Sequence, residues 1–172
     1  MHRVVHGTAV RICVTGPFQR GGVFERFTLM ARRVVLAGRF EATECRSPSL
    51  TADHLLLGLL RENRAIATRI LLPGEDAAEI RKRIMRRQSE SIVTLASADT
   101  PLSKDAKRVL KLAIKEAKSA SHRRVGTGDV LLGLLCVEDT FARELLSERG
   151  FELAALREAF AQSDPAENEG TD

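Results

Sequence analysis

Two pairs of hydroxyl and carboxylate residues stand where they could bind a ligand: Thr51 with Asp53 and Thr127 with Asp129, each just ahead of a Leu-rich run. The start of a helix leaves four backbone N–H groups without intrahelical partners and carries partial positive charge. The hydroxyls of Thr51 and Thr127 can accept from those donors, and first-turn carboxylates at 53 and 129 are favourable to the helix dipole. This is the chemistry of binding, not of bond-making. His54 and His122 have no ligand partner three or four residues on, and no Ser/His/Asp or Cys/His constellation is visible in the spacing, so His54 reads as structural. Cys13, Cys45 and Cys136 lie far apart, outside any CxxC or Cys/His pattern, and read as reduced cytosolic thiols. The glycine cluster from Gly16 to Gly22 has no Lys to reach a phosphate, and GxxxxGK(S/T) is absent. No catalytic residue, metal or cofactor is expected, and the protein is not read as an enzyme.

The elements that would hold these residues are helical. Leu, Ala, Arg and Glu are abundant, Trp and Tyr are absent, and 172 residues suffice for a core without disulfides or metals. The net charge of +4 is unevenly placed: residues before Val23 contribute +3 and the tail from Ser163 contributes −4. The middle of the chain therefore mixes signs on its helices and lacks stacking aromatics, which argues against direct nucleic-acid binding. The first 22 residues are interrupted by His6 and Arg11, poor for a signal peptide, and no apolar run approaches the ~20 residues of a membrane span. A cytoplasmic location follows as the expectation.

Self-similarity organises the chain. Thr28–Leu60 aligns with Ser103–Leu135 at a constant offset of 75, and Leu56-Leu57-Gly58-Leu59-Leu60 returns as Leu131-Leu132-Gly133-Leu134-Leu135. Each copy reads as four short helices. In the second copy Ala106, Val109, Leu110, Ala113 and Ala117 form one apolar face with lysines elsewhere, starting at Ser103 and breaking over 119–124. The Leu-rich second helix is apolar nearly all round and should be buried, with Gly58 and Gly133 marking close helix approach. A third helix stops near Pro73-Gly74 or Gly150, and a fourth carries Ala77, Ile80 and Ile84 or Leu153, Leu156 and Phe160. The expected organisation is all-α: a flexible extension over 1–22, or a misplaced start, a first repeat over 23–87, a Ser/Thr-rich linker over 88–101, a second repeat over 102–162 and a disordered acidic tail over 163–172. The two four-helix units should pack as one pseudo-twofold bundle.

Phe24-Glu25-Arg26-Phe27-Thr28 followed by Ala31-Arg32-Arg33-Val34-Val35, the tandem Leu-Leu-Gly-Leu-Leu helices with Leu50-Thr51-Ala52-Asp53-His54 and Val125-Gly126-Thr127-Gly128-Asp129 ahead of them, and Pro101 with Lys107-Arg108-Val109 resemble the Clp N-terminal repeat. That repeat occurs in pairs at the front of ClpA- and ClpC-type unfoldases, and the resemblance spans roughly Val23 to Gln162, without the ATPase. It implies a non-catalytic module that receives protein substrates or adaptors, with a separate Clp ATPase as a further partner. In relatives the Glu of each Gly-Thr-Glu-His motif binds phosphoarginine; Asp53 takes that place in copy one and Gly128 in copy two, with Asp129 one residue later. Asp53, Thr51, Asp129 and Thr127 are thus candidates for phosphoarginine or peptide-anion binding, beside the plain reading of first-turn carboxylates. The resemblance also implies a hydrophobic peptide patch at Phe24, Leu36, Arg39, Leu102 and Lys107, of which Phe24 and Leu102 could equally close the core. A decoy that withholds adaptors or peptide-like inhibitors from an unfoldase is the alternative function, and an enzyme or DNA-binding accessory reusing the fold is a third.

Overall fold

Thr28 and Ser103, 75 residues apart, end their extended approach in the same way: each side-chain oxygen accepts from the N–H three residues on, Ala31 or Ala106, at 3.2 Å. Those N-caps start helix α1 (Leu29–Glu44) and helix α5 (Lys104–Ser119). Both helices also stop alike. Arg46 and Ser121 take left-handed φ of 52° and 59°, and the next N–H returns to the carbonyl of Ala42 or Ala117 at 2.9 and 2.8 Å. The computed structural model describes residues 23–88 and 100–162. The expected extension, acidic tail and most of the linker lie outside them.

The remaining elements are α2 (Ala52–Glu62), α3 (Arg64–Ile70), α4 (Ala77–Gln88), α6 (Thr127–Leu135), α7 (Phe141–Glu148) and α8 (Leu153–Gln162), with a 3-10 turn over Val23–Arg26. The described residues are therefore all-helical, four helices to a copy, and contain no strand. α2 and α6 are the apolar centres: every residue from His54 to Leu60 and from Thr127 to Leu135 is buried. Each is pressed against the first helix of its own copy at the mid-helix glycine. A Cβ on Gly58 would stand 2.3 Å from the Val34 carbonyl oxygen and 2.7 Å from the Gly38 nitrogen; on Gly133 it would stand 2.6 Å from the Val109 oxygen. Any larger residue would force the helices apart. The fourth helix is tied to the first by a bidentate ion pair in both copies, Arg81 on Glu41 at 2.6 and 2.8 Å and Arg157 on Glu116 at 2.8 and 2.6 Å.

The copies interlock through their backbones. Phe27 bridges to Val125 and Leu50 to Leu102, both parallel. These pairs are related by the same offset of 75, so the residue entering each first helix is paired with the residue entering the other copy's second helix. Four hydrogen bonds of 2.7 to 2.9 Å close the two bridges, from Thr28, Val125, Leu50 and Ser103. The result is a single apolar core shared by both copies rather than two abutting bundles.

Candidate functional site

The first turn of α2 is built across the copies. The Thr51 N–H donates to His54 Nδ1 at 3.1 Å, and the Thr51 hydroxyl lies 2.8 Å from the same nitrogen. The Ala52 N–H donates at 2.7 Å to Asp105, a residue of α5 whose carboxylate is also held by the Ser103 hydroxyl. Two of the four N-terminal donors of α2 are therefore already spent on protein side chains. Asp53 points across to copy two, where its Oδ1 accepts from the Ala142 N–H at 2.8 Å in the first turn of α7. Burial raises its carboxyl above the usual range, the Ala142 bond opposes the shift, and the nearby Asp105 adds to it. His54 is wholly buried, its Nε2 has no hydrogen-bond partner, and burial depresses its pKa to about 4, against the raising effect of Glu41 and Asp105. It is a neutral structural imidazole.

Thr51, Asp53 and Asp105 open onto a cleft of about 540 Å³. Arg87, Lys104 and Arg108 bring cations to its wall, and the segment from Val137 to Phe141 forms its far side with Glu138 and Asp139. Arg87 is partly engaged, pairing with Glu144 at 2.6 Å and lying 5.1 Å from the Phe141 ring centroid. The cleft thus offers a carboxylate beside several cations, an arrangement suited to a zwitterionic or guanidinium-bearing ligand.

Copy two departs at the corresponding place. The N-cap of α6 is Gly126, not Thr127, and the Thr127 hydroxyl accepts from Asn63 Nδ2 at 2.8 Å, so it caps no donor of its own helix. Thr51 and His54 form a capping box at the start of α2, whereas the Thr127 hydroxyl is taken by Asn63. Asp129 turns inward. It is 1% exposed, accepts from the Gly126 N–H at 2.8 Å and holds His122 Nδ1 at 3.0 Å. Burial raises its carboxyl too, opposed by the Gly126 bond and by His122. Thr51 and Asp53 share one cleft, while Thr127 and Asp129 do not join it.

The five patch residues are divided by burial. Leu36 and Lys107 are exposed, Arg39 and Leu102 are half-buried, and Phe24 is buried at 8% exposure with its ring 5.5 Å from Phe27. Of the two readings left open for Phe24, its burial fits core closure: the turn over Val23–Arg26 folds it back onto Phe27. What stands open instead is a stripe on α1. Leu29, Leu36 and Phe40 are 51%, 37% and 47% exposed, and their spacing places them on one helix face. The Arg61 guanidinium lies 4.6 Å from the Phe40 ring centroid. Leu29, Phe40 and Asp105 are absent from the residues singled out by sequence. The first two had a signal, since α5 carries Lys104, Lys111 and Lys115 at the places of Leu29, Leu36 and Phe40. Among the described residues no group of His, Cys, Asp or Glu could hold a metal, and no helix is long and apolar enough to cross a membrane.

Comparison with known proteins matches residues 26–161 to the Clp repeat (R) N-terminal domain. An uncharacterised protein of Mycobacterium tuberculosis is 38% identical over 117 residues, covering 67% of this chain and 45% of that protein. The ClpA homologue of Guillardia theta, an ATP-binding subunit of an ATP-dependent Clp protease, is 30% identical over 139 residues, which are 78% of this chain and 16% of that subunit. The chain thus spans less than half the length of these relatives. Among solved structures, the N-terminal domain of the ClpD chaperone of Arabidopsis thaliana superposes with a TM-score of 0.63 at 25% identity, over 81% of this chain and 95% of that one. The Hsp104 N-terminal domain of Candida albicans gives 0.57 at 18% identity, over 84% and 93%.

Proposed function

The chain belongs to the Clp repeat N-terminal domain family, and from that footing we propose that it receives protein clients or adaptors on behalf of a Clp-type unfoldase. The observation that carries this reading is the α1 stripe of Leu29, Leu36 and Phe40, open to solvent where the duplicated helix α5 has three lysines. The fold does not need apolar residues at these places, since the second copy does without them. Large apolar side chains left open along one helix face are the kind of surface a partner covers. The exposed Arg33 beside it, paired with Glu62 at 2.8 Å, gives the rim a polar character.

The test is a reconstituted degradation assay with a Clp unfoldase, its peptidase and a labelled client. Added protein should change the degradation rate, upward if it delivers clients and downward if it acts as the alternative decoy. The double variant Leu36→Lys, Phe40→Lys should lose the effect while keeping its helical content. No change on adding the wild-type chain would end the proposal.

A narrower contact at the Asp53 cleft is a second reading, favoured by Asp53, Lys104 and Arg108 lining one cavity. The Asp53 carboxylate would pair with the guanidinium of phosphoarginine, and the two cations would take the phosphoryl group, since Asp105 already occupies the Ala52 N–H. Calorimetry with phosphoarginine should give heat with wild type and none with Asp53→Asn, a change that keeps an oxygen for the Ala142 N–H. Equal heats would discard the reading.

A further inference from the structure

The loop from α5 to α6 is more basic than its counterpart from α1 to α2, whose one cation is Arg46. His122, Arg123 and Arg124 occupy the places of Ser47, Pro48 and Ser49, and Lys118 that of Thr43. Arg26 of copy one joins them, because the Phe27 to Val125 bridge brings its carbonyl within 2.7 Å of the Val125 N–H. These five side chains line an open cleft of about 360 Å³, backed by an apolar wall that includes Ile114 and Val125. No carboxylate lines it. Among the described residues, none of Arg26, Lys118, Arg123 and Arg124 has an acid within ion-pair distance, whereas Arg81, Arg87, Arg149 and Arg157 each hold one.

One member of the cluster is fixed from behind. The buried Asp129 carboxylate holds His122 Nδ1 through both oxygens, at 3.0 and 3.2 Å, and is itself held by the Gly126 N–H. That contact places the ring proton on Nδ1 and leaves Nε2 as the nitrogen available to a ligand. Copy one has no such pair, since Ser47 and His54 stand at those two positions.

We propose that this cleft is an anion-binding site for a phosphate monoester, separate from the Asp53 cleft and from the α1 stripe. Arg26, Arg123 and Arg124 supply planar forks that match phosphoryl oxygens, Lys118 adds charge, and the lone pair on His122 Nε2 can accept only from a protonated phosphoryl oxygen. The open cleft has room for such a group and more, and its lack of a lining aromatic leaves nothing on which nucleic-acid bases could stack. The phosphate can be carried on a protein side chain or on a free metabolite.

Nitrogen-15 NMR titration of the full chain decides the matter, with four probes: inorganic phosphate, a phosphoserine peptide in an alanine context, the same peptide unphosphorylated, and a single-stranded oligonucleotide. The phosphate-bearing probes should shift the Val125 and Gly126 amides, and binding should weaken by about tenfold between 50 and 200 mM salt. The unphosphorylated peptide should leave them in place. A phosphopeptide at least about tenfold tighter than inorganic phosphate assigns the group to a protein; comparable affinities assign it to a metabolite. Arg123→Ala with Arg124→Ala, both exposed positions, should weaken binding at least about tenfold without changing the melting temperature, and Asp53→Asn should leave it unchanged. Silence from both phosphate probes, undiminished binding by the double variant, or a preference for the oligonucleotide would overturn the proposal.

Discussion

Copy one and copy two share the devices that hold their first helix in place: the Thr28 and Ser103 caps, the left-handed Arg46 and Ser121, and the Glu41–Arg81 and Glu116–Arg157 pairs. They differ on the outer face of the first helix and at the start of the second. α1 exposes Leu29, Leu36 and Phe40 where α5 exposes three lysines; Asp53 reaches to α7 where copy two has Gly128; buried His54 is answered by buried Asp129. Duplication has been kept at the framework and abandoned at the surfaces and at the mouths of the central helices. A pseudo-twofold fold can thus carry non-equivalent sites without altering its core.

The largest effects should come from the two mid-helix glycines, which test whether the framework is as symmetric as it looks. Gly58 meets backbone of Val34 and of Gly38, while Gly133 meets Val109 and the alanine that replaces Gly38, Ala113, at 3.1 Å. Gly58→Ala should therefore cost about 3 kcal/mol or more and Gly133→Ala about 2, read from urea unfolding midpoints. Equal losses would mean that the tighter crossing of α1 with α2 is not used for stability.

Next in size are the paired arginines. Glu41 is 2% exposed and Glu116 is 9%, and their partners Arg81 and Arg157 are 31% and 50% exposed. Removing Arg81 leaves the more deeply buried carboxylate with the half-exposed Arg61 alone, at 3.6 Å, so Arg81→Ala should cost about 2 kcal/mol and Arg157→Ala about 1. The Arg157 hydrogen bond holds the Glu116 carboxyl below its usual range, and that stability is present above the unfolded value and lost as pH falls through the folded one. A reversed order of the two losses would show that burial does not set the strength of these ties.

The pair at the third position of the central helices should respond to acid in opposite senses. His54 is held neutral with a pKa of about 4, so between 6.5 and 4 the unfolded chain binds the proton and stability falls as pH falls, by about 3 kcal/mol. Asp129 is raised above 3.8, so its penalty is relieved as pH drops through the folded value. His54→Gln should flatten the stability profile between pH 6.5 and 4, as followed by thermal melts across that range. An unflattened profile would place the acid sensitivity elsewhere.

Most of the framework was legible because its signals are local: periodicity, a Ser or Thr before a helix, a glycine after one, and a register of 75 that repeats them. The site was harder to read for a physical reason. Asp53 bonds to Ala142, 89 residues away, Ala52 to Asp105, and Thr127 to Asn63. These contacts arise only when the bridges Phe27–Val125 and Leu50–Leu102 lock the copies together, and no spacing within one copy encodes them. For Phe24 the sequence leaves exposure and core closure equally open, and the turn over Val23–Arg26 that folds it onto Phe27 decides between them. The α1 stripe was open to discovery by laying α1 on α5 residue for residue.

That same overlay supplies the smallest expected change in stability and the clearest separation of fold from function. Leu36→Lys and Phe40→Lys convert the face of α1 into that of α5, where Lys111 and Lys115 occupy the equivalent places of a stable helix. Both side chains are already substantially exposed, so each change should move unfolding free energy by no more than about 0.5 kcal/mol, with Phe40→Lys the larger because it also removes the ring beneath Arg61. Chemical denaturation of the two variants checks this. A loss of several kcal/mol would mean that the stripe is an edge of the core and not a surface kept open for a partner; a negligible loss would leave binding as the reason that only one of two duplicated helices is apolar on its outer face.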